Sequence, residues 1–495
     1  MIRVSLLWLF VVAVGILALR DWYKGLCGLI LLTAVVGHPD MPNAVFGVPG
    51  FNAWNLCLLL VVGGWAIARR RESLTWDMPR HVFLLLLAYL FVVLVSFVRL
   101  LADRSSLGEA ETTASIWSDY LINTVKWTVP GLLLFNGVRS RERFALGLAC
   151  SLGMYVLLGA QVIRWMPPSA LAGGEDLADR ALRVLSREVG FHRVNLSMMF
   201  AGASWAVFAA RGLLPSFFAQ VGALLAAAAT VYAQALTGGR MGYVTWFVVG
   251  LVLCGIRWRR YLLAIPVVVI SAIAFVPGAV ERMKEGFDTE DRETPAAQAN
   301  QGDGAVNTYQ VTSGRTVIWP YVMAKIEEAP MLGHGQRAMT RTGLAAFLLK
   351  DLRESFPHPH NAYLELLLDN GWIGFALVIP FYLVMMFHSV SLLRDSRSTV
   401  FVAAGGACLA LILALLVASA GSQTFYPREG ALGMWCVIGL MLRVKVERER
   451  AQLEASARPK LTSPAPGALG GTFSSRLRRP AAAPSLDAFL WSGRA

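Results

Sequence analysis

The stretch "GWIGFALVIPFYLVMMFHSVSLL", residues 371–393, is the clearest indication of the fold. It contains no Asp, Glu, Lys or Arg, and it exceeds the roughly 20 residues that a helix needs to cross a bilayer. Similar apolar runs recur along all 495 residues, of which 56% are apolar and 16% charged, with a mean hydropathy of +0.54. A soluble protein carries about a quarter charged residues. The sequence therefore predicts an all-α fold, a polytopic transmembrane helical bundle.

Apolar runs of this kind give about 12–13 candidate spans. They lie at residues 4–19, 22–37, 51–68, 81–101, 120–136, 143–166, 194–210, 215–236, 241–256, 261–279, 371–393, 399–419 and 429–443. The run at 22–37 is short and is the weakest candidate. All six cysteines lie inside these runs, away from metal-ligand spacing, and are typical of small core residues.

The formal net charge of +13 is concentrated in short loops between the apolar runs and in the C-terminal segment. No nucleic-acid-binding motif accompanies it, and cytoplasmic loops of membrane proteins are enriched in Lys and Arg. Arginine-rich loops, such as 69–80, 139–143 and 257–260, alternate with loops that are mixed or acidic. The alternation predicts a cytoplasmic C-terminus and an external segment at 280–360, whereas the side of the N-terminus stays open.

The apolar runs and the charges of the loops divide the chain into four predicted segments. Transmembrane helices at 1–279 form an N-terminal bundle, and a large periplasmic loop follows at 280–360. C-terminal transmembrane helices occupy 361–443, and 444–495 is expected to be a disordered cytoplasmic tail, since it is rich in Ala, Pro, Ser and Arg. The basic residues of the tail are suited to contact with anionic membrane lipids. The loop combines a polar first part with helical patterning in "RTVIWPYVMAKIEEA", residues 315–329.

Two histidines stand at the junction of the loop and the opening stretch, in "SFPHPHNAYLELLLDN", residues 355–370. Asn361 is a good N-cap for the helix that follows, which places His360 at the positive end of a helix dipole. A neutral imidazole there could act as a general base, although His360 could also only hydrogen-bond within a Pro-flanked turn. His358 and His360 could bind a metal, but no third ligand stands at a diagnostic spacing, so we predict no metal site.

Asn370 and Gly371 are expected to break or bend the helix at the start of the span. This would leave Glu365 and Asp369 in a short interfacial helix outside the hydrocarbon. Gly371 and Gly374 would most simply allow close packing between helices.

Two arginines add to the candidate site. Arg240, in "ALTGGRMGYVTWFVV" (residues 235–249), lies at the external junction of two apolar runs, where an ionisable residue suggests function or a headgroup anchor. Arg315, in "SGRTVIWPYVMAKIEEAPMLGHGQ" (residues 313–336), lies near a helix start. It could bind a phosphate bidentately, or form a surface salt bridge.

These three motifs resemble those of the O-antigen ligase superfamily, over roughly residues 190–440. One motif of the family consists of His-Asn, nine further residues and then Gly-x-x-Gly. It is matched by His360, Asn361, Gly371 and Gly374, although Phe375 departs from the usual next residue. Its Arg-x-x-x-Leu motif is similar to Arg240–Val244, with Val for Leu and with Gly239 for a preceding Ser. Its "SGR…W" and "P-x-x-G-x-G" motifs are matched by Ser313, Gly314, Arg315, Trp319, Pro330, Gly333 and Gly335.

The resemblance implies a glycosyltransferase whose donor is a glycan on undecaprenyl diphosphate, at the periplasmic face of the bacterial inner membrane. The acceptor hydroxyl would belong to the lipid A core, or to another glycan or a protein. His360 would be the base, and Arg240 and Arg315 would bind the donor diphosphate, with no metal and no other cofactor. Asn361 or Glu365 could orient the imidazole or the sugar.

Three alternatives stay open at this point. Within the superfamily, the chain could be a repeat-unit polymerase for O-antigen or exopolysaccharide, or a protein O-oligosaccharyltransferase. From a different class, it could be a transporter or flippase for a lipid-linked glycan. Transport favours charged residues inside spans and broken helices in related halves, and neither pattern is clear in the sequence.

Overall fold

The computed structural model describes residues 2–41, 51–103, 112–167, 169, 171, 174–284, 315–353, 356–421 and 423–457. Every regular element in these ranges is helical and none is a strand, which confirms the predicted all-α fold. The predicted polar first part of the loop, with Ser313 and Gly314, lies outside the described residues, as does the predicted tail from 458 onward.

The N-terminal half of the chain contains nine of the longer helices among the described residues. They are α1 (Ile2–Arg20), α2 (Trp22–Val36), α3 (Ala53–Arg71), α4 (Arg80–Ala102), α5 (Val129–Gly137), α6 (Arg141–Trp165), α7 (Gly174–Glu188), α8 (Arg193–Ala210) and α9 (Phe217–Leu236). Short helical turns precede α5, among them a π-helical segment at Trp117–Ile122 and a 3₁₀ turn at Lys126–Thr128.

The second half contains the segments that frame the candidate site. Its helices are α10 (Arg240–Ile256), α11 (Ile265–Phe275), α12 (Pro277–Lys284), α13 (Arg315–Glu328), α14 (Ala338–Arg341), α15 (Leu344–Leu352), α16 (Ala362–Arg394), α17 (Thr399–Ser419) and α18 (Leu432–Ala457).

Among the described residues, six helices are long and apolar enough to cross a membrane. They are Arg80–Ala102, Arg141–Trp165, Arg193–Leu213, Phe217–Leu236, Ala362–Arg394 and Thr399–Ser419. Three shorter helices are also apolar, at Val4–Arg20, Trp22–Val36 and Arg240–Ile256. Among the six, α17 is the most enclosed, and it packs against both α8 and α16. Its run of Ala and Gly at residues 403–407 explains this central position, because small side chains let neighbouring helices approach closely.

Part of the predicted loop forms a small core of its own outside this bundle. Apolar side chains of α13, α14 and α15 pack together with Phe356 and with Leu368 of α16. The buried members are Ile318, Val322, Ile326, Ala338, Met339, Leu344 and Leu348. The loop is therefore fixed to the start of α16, just after His360.

Two predicted boundaries are wrong. The run at 261–279 is divided into a 3₁₀ segment (Arg259–Ala264), α11 and α12, with the break just before Pro277, where proline disfavours a helical preceding residue. Residues 444–457, predicted to belong to the tail, continue helix α18. Pairs of opposite charge one helical turn apart extend this helix, with Arg443–Glu447 at 3.2 Å and Lys445–Glu449 at 2.7 Å.

Candidate active site

The kink in α16 is the first element of the site. Gly371 has φ 62° and ψ −169°, which interrupts the helix where the sequence predicted a bend. The interruption frees backbone groups, and the 330–335 turn of the loop satisfies them. The amides of Trp372 and Ile373 donate to Pro330 O (2.9 Å) and Met331 O (3.1 Å).

Amides of the 330–335 turn also donate hydrogen bonds to backbone carbonyls of α16. The amides of His334 and Gly335 donate to Leu368 O (2.8 Å) and Asp369 O (2.7 Å). Gly333, at φ 62°, leaves no room for a Cβ, which would lie 2.5 Å from the amide nitrogen of Asn370. The Pro-x-x-Gly-x-Gly and Gly-x-x-Gly motifs are therefore two halves of one interlocked structure, which we call the kink interlock (residues 330–335 and 368–373).

Side chains from elsewhere in the bundle hold the kink interlock in place. Arg99 of α4 donates to Leu332 O and, at 2.6 Å, to Gly333 O. The Asp369 carboxylate is buried and accepts from the amide of Ala338 (3.1 Å) and from Tyr426 Oη (3.0 Å). Asp369 thus accepts hydrogen bonds that hold the structure together, and protein surrounds its side chain. The sequence had predicted only that it lies in a short interfacial helix.

The His-Pro-His-Asn turn directly precedes α16, about two helical turns before the kink interlock. Asn361 caps α16 as predicted, because its Oδ1 accepts from the amides of Tyr363 (2.9 Å) and Leu364 (3.3 Å). His360 has φ +53°, a left-handed conformation that is uncommon outside glycine. Trp319 of α13 fixes the turn by donating Nε1–H to Pro359 O at 3.1 Å.

The two histidines of the turn lie side by side, with ring centroids 4.1 Å apart. Burial, and then the charges of its neighbours His358, Arg315 and His192, lower the pKa of His360 to about 4. Burial and Arg428 are the largest causes of a pKa of about 4 for His358. Both imidazoles are therefore neutral at neutral pH, and they titrate well below the ordinary value near 6.5 that the sequence alone suggested.

Arg240 and Arg315 lie near enough in the folded chain for the charge of Arg240 to act on Arg315. Each is the first residue of its helix, α10 and α13 respectively. Burial, and then the charge of Arg240, lower the pKa of Arg315 to about 10. The buried Nε of Arg315 has no hydrogen-bond partner among the described residues. A buried guanidinium group in this state is suited to an anionic ligand.

Three further charged or titratable residues complete the site, and the sequence reasoning did not single them out. His192 acts electrostatically on both His358 and His360. Arg193 begins α8 and donates from Nη1 to Gly238 O at 2.9 Å, beside Arg240. Arg428 acts on His358 and on the half-buried Glu365. Arg193 could have been found from the sequence, because it is an ionisable residue at the end of an apolar run, as Arg240 is.

Four helix N-termini therefore converge on one site. α8, α10 and α13 begin with an arginine, and α16 begins directly after the His360–Asn361 pair. The N-terminus of a helix carries a partial positive charge, and its first amides lack acceptors within the helix. Arginine side chains and helix dipoles thus add up to a positive field in which a diphosphate would be stabilised.

The other predicted site residues have supporting positions. Glu365 lies one turn into α16, where Arg428 and the hydroxyl of Thr424 act on it, and it is not among the groups that act on His360. Gly374 packs against Asn370, whose Cβ would be 2.2 Å from a Cβ at residue 374. In the part of the chain that the structure describes, no group of three His, Cys, Asp or Glu residues could hold a metal ion.

Comparison with known proteins agrees with this geometry. The family model described as O-antigen ligase matches residues 223–379, a segment that contains Arg240, Arg315, His360 and both halves of the kink interlock. No curated protein matches the chain. The family match confirms the resemblance of this chain to the O-antigen ligase superfamily.

Proposed function

We propose that the protein is an O-antigen ligase-type glycosyltransferase. Its donor is a glycan carried on undecaprenyl diphosphate, and its acceptor is a hydroxyl of the lipid A core or of a similar glycan. The observation that carries the proposal is that Arg315, whose buried Nε has no hydrogen-bond partner among the described residues, acts electrostatically on the neutral imidazole of His360, and that Arg240 in turn acts on Arg315. Diphosphate and a reacting hydroxyl are the two chemical groups that this pairing serves best.

In the proposed reaction the acceptor oxygen attacks the anomeric carbon of the donor sugar. His360 takes the hydroxyl proton as the new carbon–oxygen bond forms. The bond between the anomeric carbon and the diphosphate oxygen breaks, and undecaprenyl diphosphate leaves with the electron pair. Arg240 and Arg315 stabilise the charge that develops on this leaving group, since they are positioned before the reaction begins.

The positions of the supporting residues fit these roles. The cap made by Asn361 and the bond from Trp319 to Pro359 fix the turn that carries His360. A general base needs such fixing, because a displacement of about 1 Å can reduce the rate by roughly a hundredfold. We assign Asn361 to positioning the base and Glu365 to pairing with Arg428, so that neither contacts the reacting atoms.

The decisive experiment compares His360→Ala with His358→Ala in the purified enzyme, using a lipid-linked donor. His360→Ala should lower the transfer rate at least about a hundredfold, which is the lower range for removal of a general base. Binding of undecaprenyl diphosphate should persist, because the arginines remain. His358→Ala is the matched control and should have a much smaller effect. A folded His360→Ala enzyme with near-normal turnover would exclude this mechanism.

The acceptor is identified by the glycans of a deletion strain. Loss of a ligase should leave long polymer on the lipid carrier, whereas loss of a polymerase should leave single repeat units. Loss of a flippase should trap those units on the cytoplasmic side. These three products separate the leading proposal from its alternatives.

We further propose that the site faces the periplasm and that the C-terminus is cytoplasmic. The alternation of arginine-rich and arginine-poor loops supports this orientation. A topology reporter fused at Gln310 should read periplasmic, and one at Ser73 should read cytoplasmic. A cytoplasmic signal at Gln310 would contradict the proposed reaction, because the donor is presented on the outer leaflet.

A further inference from the structure

Two side-chain amides join the start of α8 to the connection between α17 and α18. Gln423 donates from Nε2 to Asn195 Oδ1 at 3.2 Å. Asn195 lies in the first turn of α8, and Gln423 precedes α18. We call these two residues the amide pair. Both are half-buried, so that part of each residue is accessible from outside the protein.

Asn195 is fixed beside the turn that carries Arg240. Arg193 donates from Nη1 to Gly238 O at 2.9 Å, and Ser197 donates from Oγ to Gly239 O at 3.2 Å. Asn195 lies between Arg193 and Ser197 in the same part of α8. The start of α8 therefore has a defined position against the turn that immediately precedes α10.

The segment that carries Gln423 also packs against the start of α10. Gly421 lies against Met241 so closely that a Cβ at residue 421 would clash with the methionine side chain. Met241 directly follows Arg240. Two residues of chain span at most about 7 Å, so Gln423 lies close to this contact.

The other end of the same segment packs against the start of α16. The ring of Phe425 lies 5.1 Å from the ring of Tyr363, between centroids. Tyr363 follows His360 by three residues, and its Oη donates to Leu416 O of α17 at 2.8 Å. Gln423 is again only two residues away. The amide pair therefore lies between the helix that begins with Arg240 and the helix that begins just after His360.

The proposed reaction requires a sugar in this interval. The anomeric carbon is bonded to the diphosphate that the arginines stabilise, and it is attacked by the hydroxyl that His360 deprotonates. The sugar ring that contains this carbon must then lie between Arg240 and His360. A side-chain amide offers both N–H donors and a carbonyl acceptor, which suits hydroxyl groups because they also donate and accept.

We propose that the amide pair forms the subsite for the transferred sugar, with Asn195 and Gln423 hydrogen-bonding the hydroxyl groups of the donor residue next to the diphosphate. The inference rests on the proposed function and adds to it the residues that select the donor sugar. Polar groups placed for a substrate hydroxyl discriminate against a sugar that lacks this hydroxyl, since they would lose their partner.

The test measures binding, so that it does not depend on turnover. Full-length protein in lipid nanodiscs is titrated with the lipid-linked glycan that accumulates in the deletion strain, and with undecaprenyl diphosphate. Gln423→Met keeps the length of the side chain and removes its hydrogen bonds, and Asn195→Ala removes the other amide. Each should weaken binding of the lipid-linked glycan about fivefold, as expected for one lost neutral hydrogen bond. Binding of undecaprenyl diphosphate should stay within about twofold.

Two control variants make the outcome specific. Gln220→Ala removes a half-buried amide at the end of α9 opposite the Arg240 turn, where Gln220 donates to Leu214 O at 3.1 Å. It should change neither affinity. Arg315→Gln should weaken binding of both lipids, because both carry the diphosphate.

Three results would overturn the inference. The first is an unchanged affinity for the lipid-linked glycan in both amide variants. The second is an equal loss of affinity for the two lipids, which would assign the amide pair to the diphosphate. The third is a rise in the KM of the acceptor with unchanged donor affinity, which would assign the pair to the acceptor. An active His360→Ala enzyme would exclude the proposed base while leaving these affinities valid.

Discussion

Arginines cluster at two ends of this molecule, and the two clusters differ in what surrounds them. Near Asp77, in the connection before α4, three arginines surround one carboxylate. Arg443 lies 2.6 Å from it, Arg450 2.5 Å and Arg139 3.4 Å. Around His360 the electrostatic neighbours of Arg315 and Arg193 are chiefly other arginines. The three arginines near Asp77 thus share one carboxylate, whereas the charged group that acts most on Arg315 is another arginine.

This difference separates a structural role from a binding role. The bonds from Arg443 and the charges of Arg443, Arg139 and Arg450 outweigh the effect of burial and hold the pKa of Asp77 well below its usual range. Such a network needs nothing more to be stable, and it joins the 72–79 connection to α18. At the other cluster, Arg315 experiences the charge of Arg240 and has a buried Nε without a hydrogen-bond partner among the described residues, so this guanidinium group is suited to an anionic ligand.

The largest effect that would test the comparison is expected at Arg315. Arg315→Lys should lower kcat/KM by about a hundredfold or more, because lysine provides a point charge without the bidentate geometry of arginine. Arg240→Lys should behave similarly. Steady-state kinetics with lipid-linked donor measure this, and the exposed Arg259→Lys is the control. Near-normal kinetics for both site variants would mean that the arginines do not bind the diphosphate.

In the cluster around Asp77, substitution of a charged residue should lower the stability of the protein and leave catalysis intact. Asp77→Asn leaves several buried arginines without their carboxylate, which costs about 3–5 kcal/mol for a buried ion pair. Glu328→Gln, which breaks an exposed pair with Lys325, should cost at most about 1 kcal/mol. Chemical unfolding in detergent measures both variants. Turnover per folded Asp77→Asn molecule should match the wild type, and a selective loss of turnover would contradict the structural role.

The smallest effect is expected from mild acidification. Since the pKa of His360 is about 4 in the free protein, kcat/KM should stay nearly constant between pH 8 and pH 5 and fall as the pH approaches 4. Bound diphosphate adds negative charge, which raises the pKa of His360, so kcat should begin to fall at a higher pH than kcat/KM. Rate profiles at low and saturating donor concentrations separate the two. A fall of kcat/KM centred near pH 6.5 would indicate an exposed histidine.

The stability of the folded protein should also decrease as the pH falls, because folding lowers the pKa of both histidines. His358 and His360 have a lower pKa in the folded protein than the ordinary value of 6.5, so the unfolded chain binds more protons as the pH falls. Their contribution to stability is complete above pH 6.5 and is lost as the pH drops toward 4.

Local sequence signals predicted much of this structure. The apolar runs identified the helical membrane fold, and Asn361 and Gly371 identified a cap and a bend, because each depends on residues within one turn. His360, Arg240 and Arg315 were found from motifs that each lie within a short stretch. The break before Pro277 was a local signal that the length of the apolar run concealed.

The remaining features depend on contacts between distant segments. Arg193 joins the site only because α8 packs against the turn before Arg240, and no spacing in the sequence records this contact. The extension of α18 beyond residue 443 depends on Asp77, which lies more than 300 residues earlier in the chain. The low pKa of His360 results from burial, from His358 in the same turn, and from Arg315 and His192 in distant segments.

The kink interlock also imposes an order on biogenesis. Until the 330–335 turn docks, the amides of Trp372 and Ile373 and the carbonyls of Leu368 and Asp369 lack the acceptors and donors that the finished protein gives them. Polar backbone groups without partners are poorly tolerated in a lipid environment. Lateral release of α16 from the insertion machinery should therefore wait for the 330–335 turn to dock. A newly made chain in which this turn cannot dock would keep an unfinished membrane helix, which quality-control proteases could recognise.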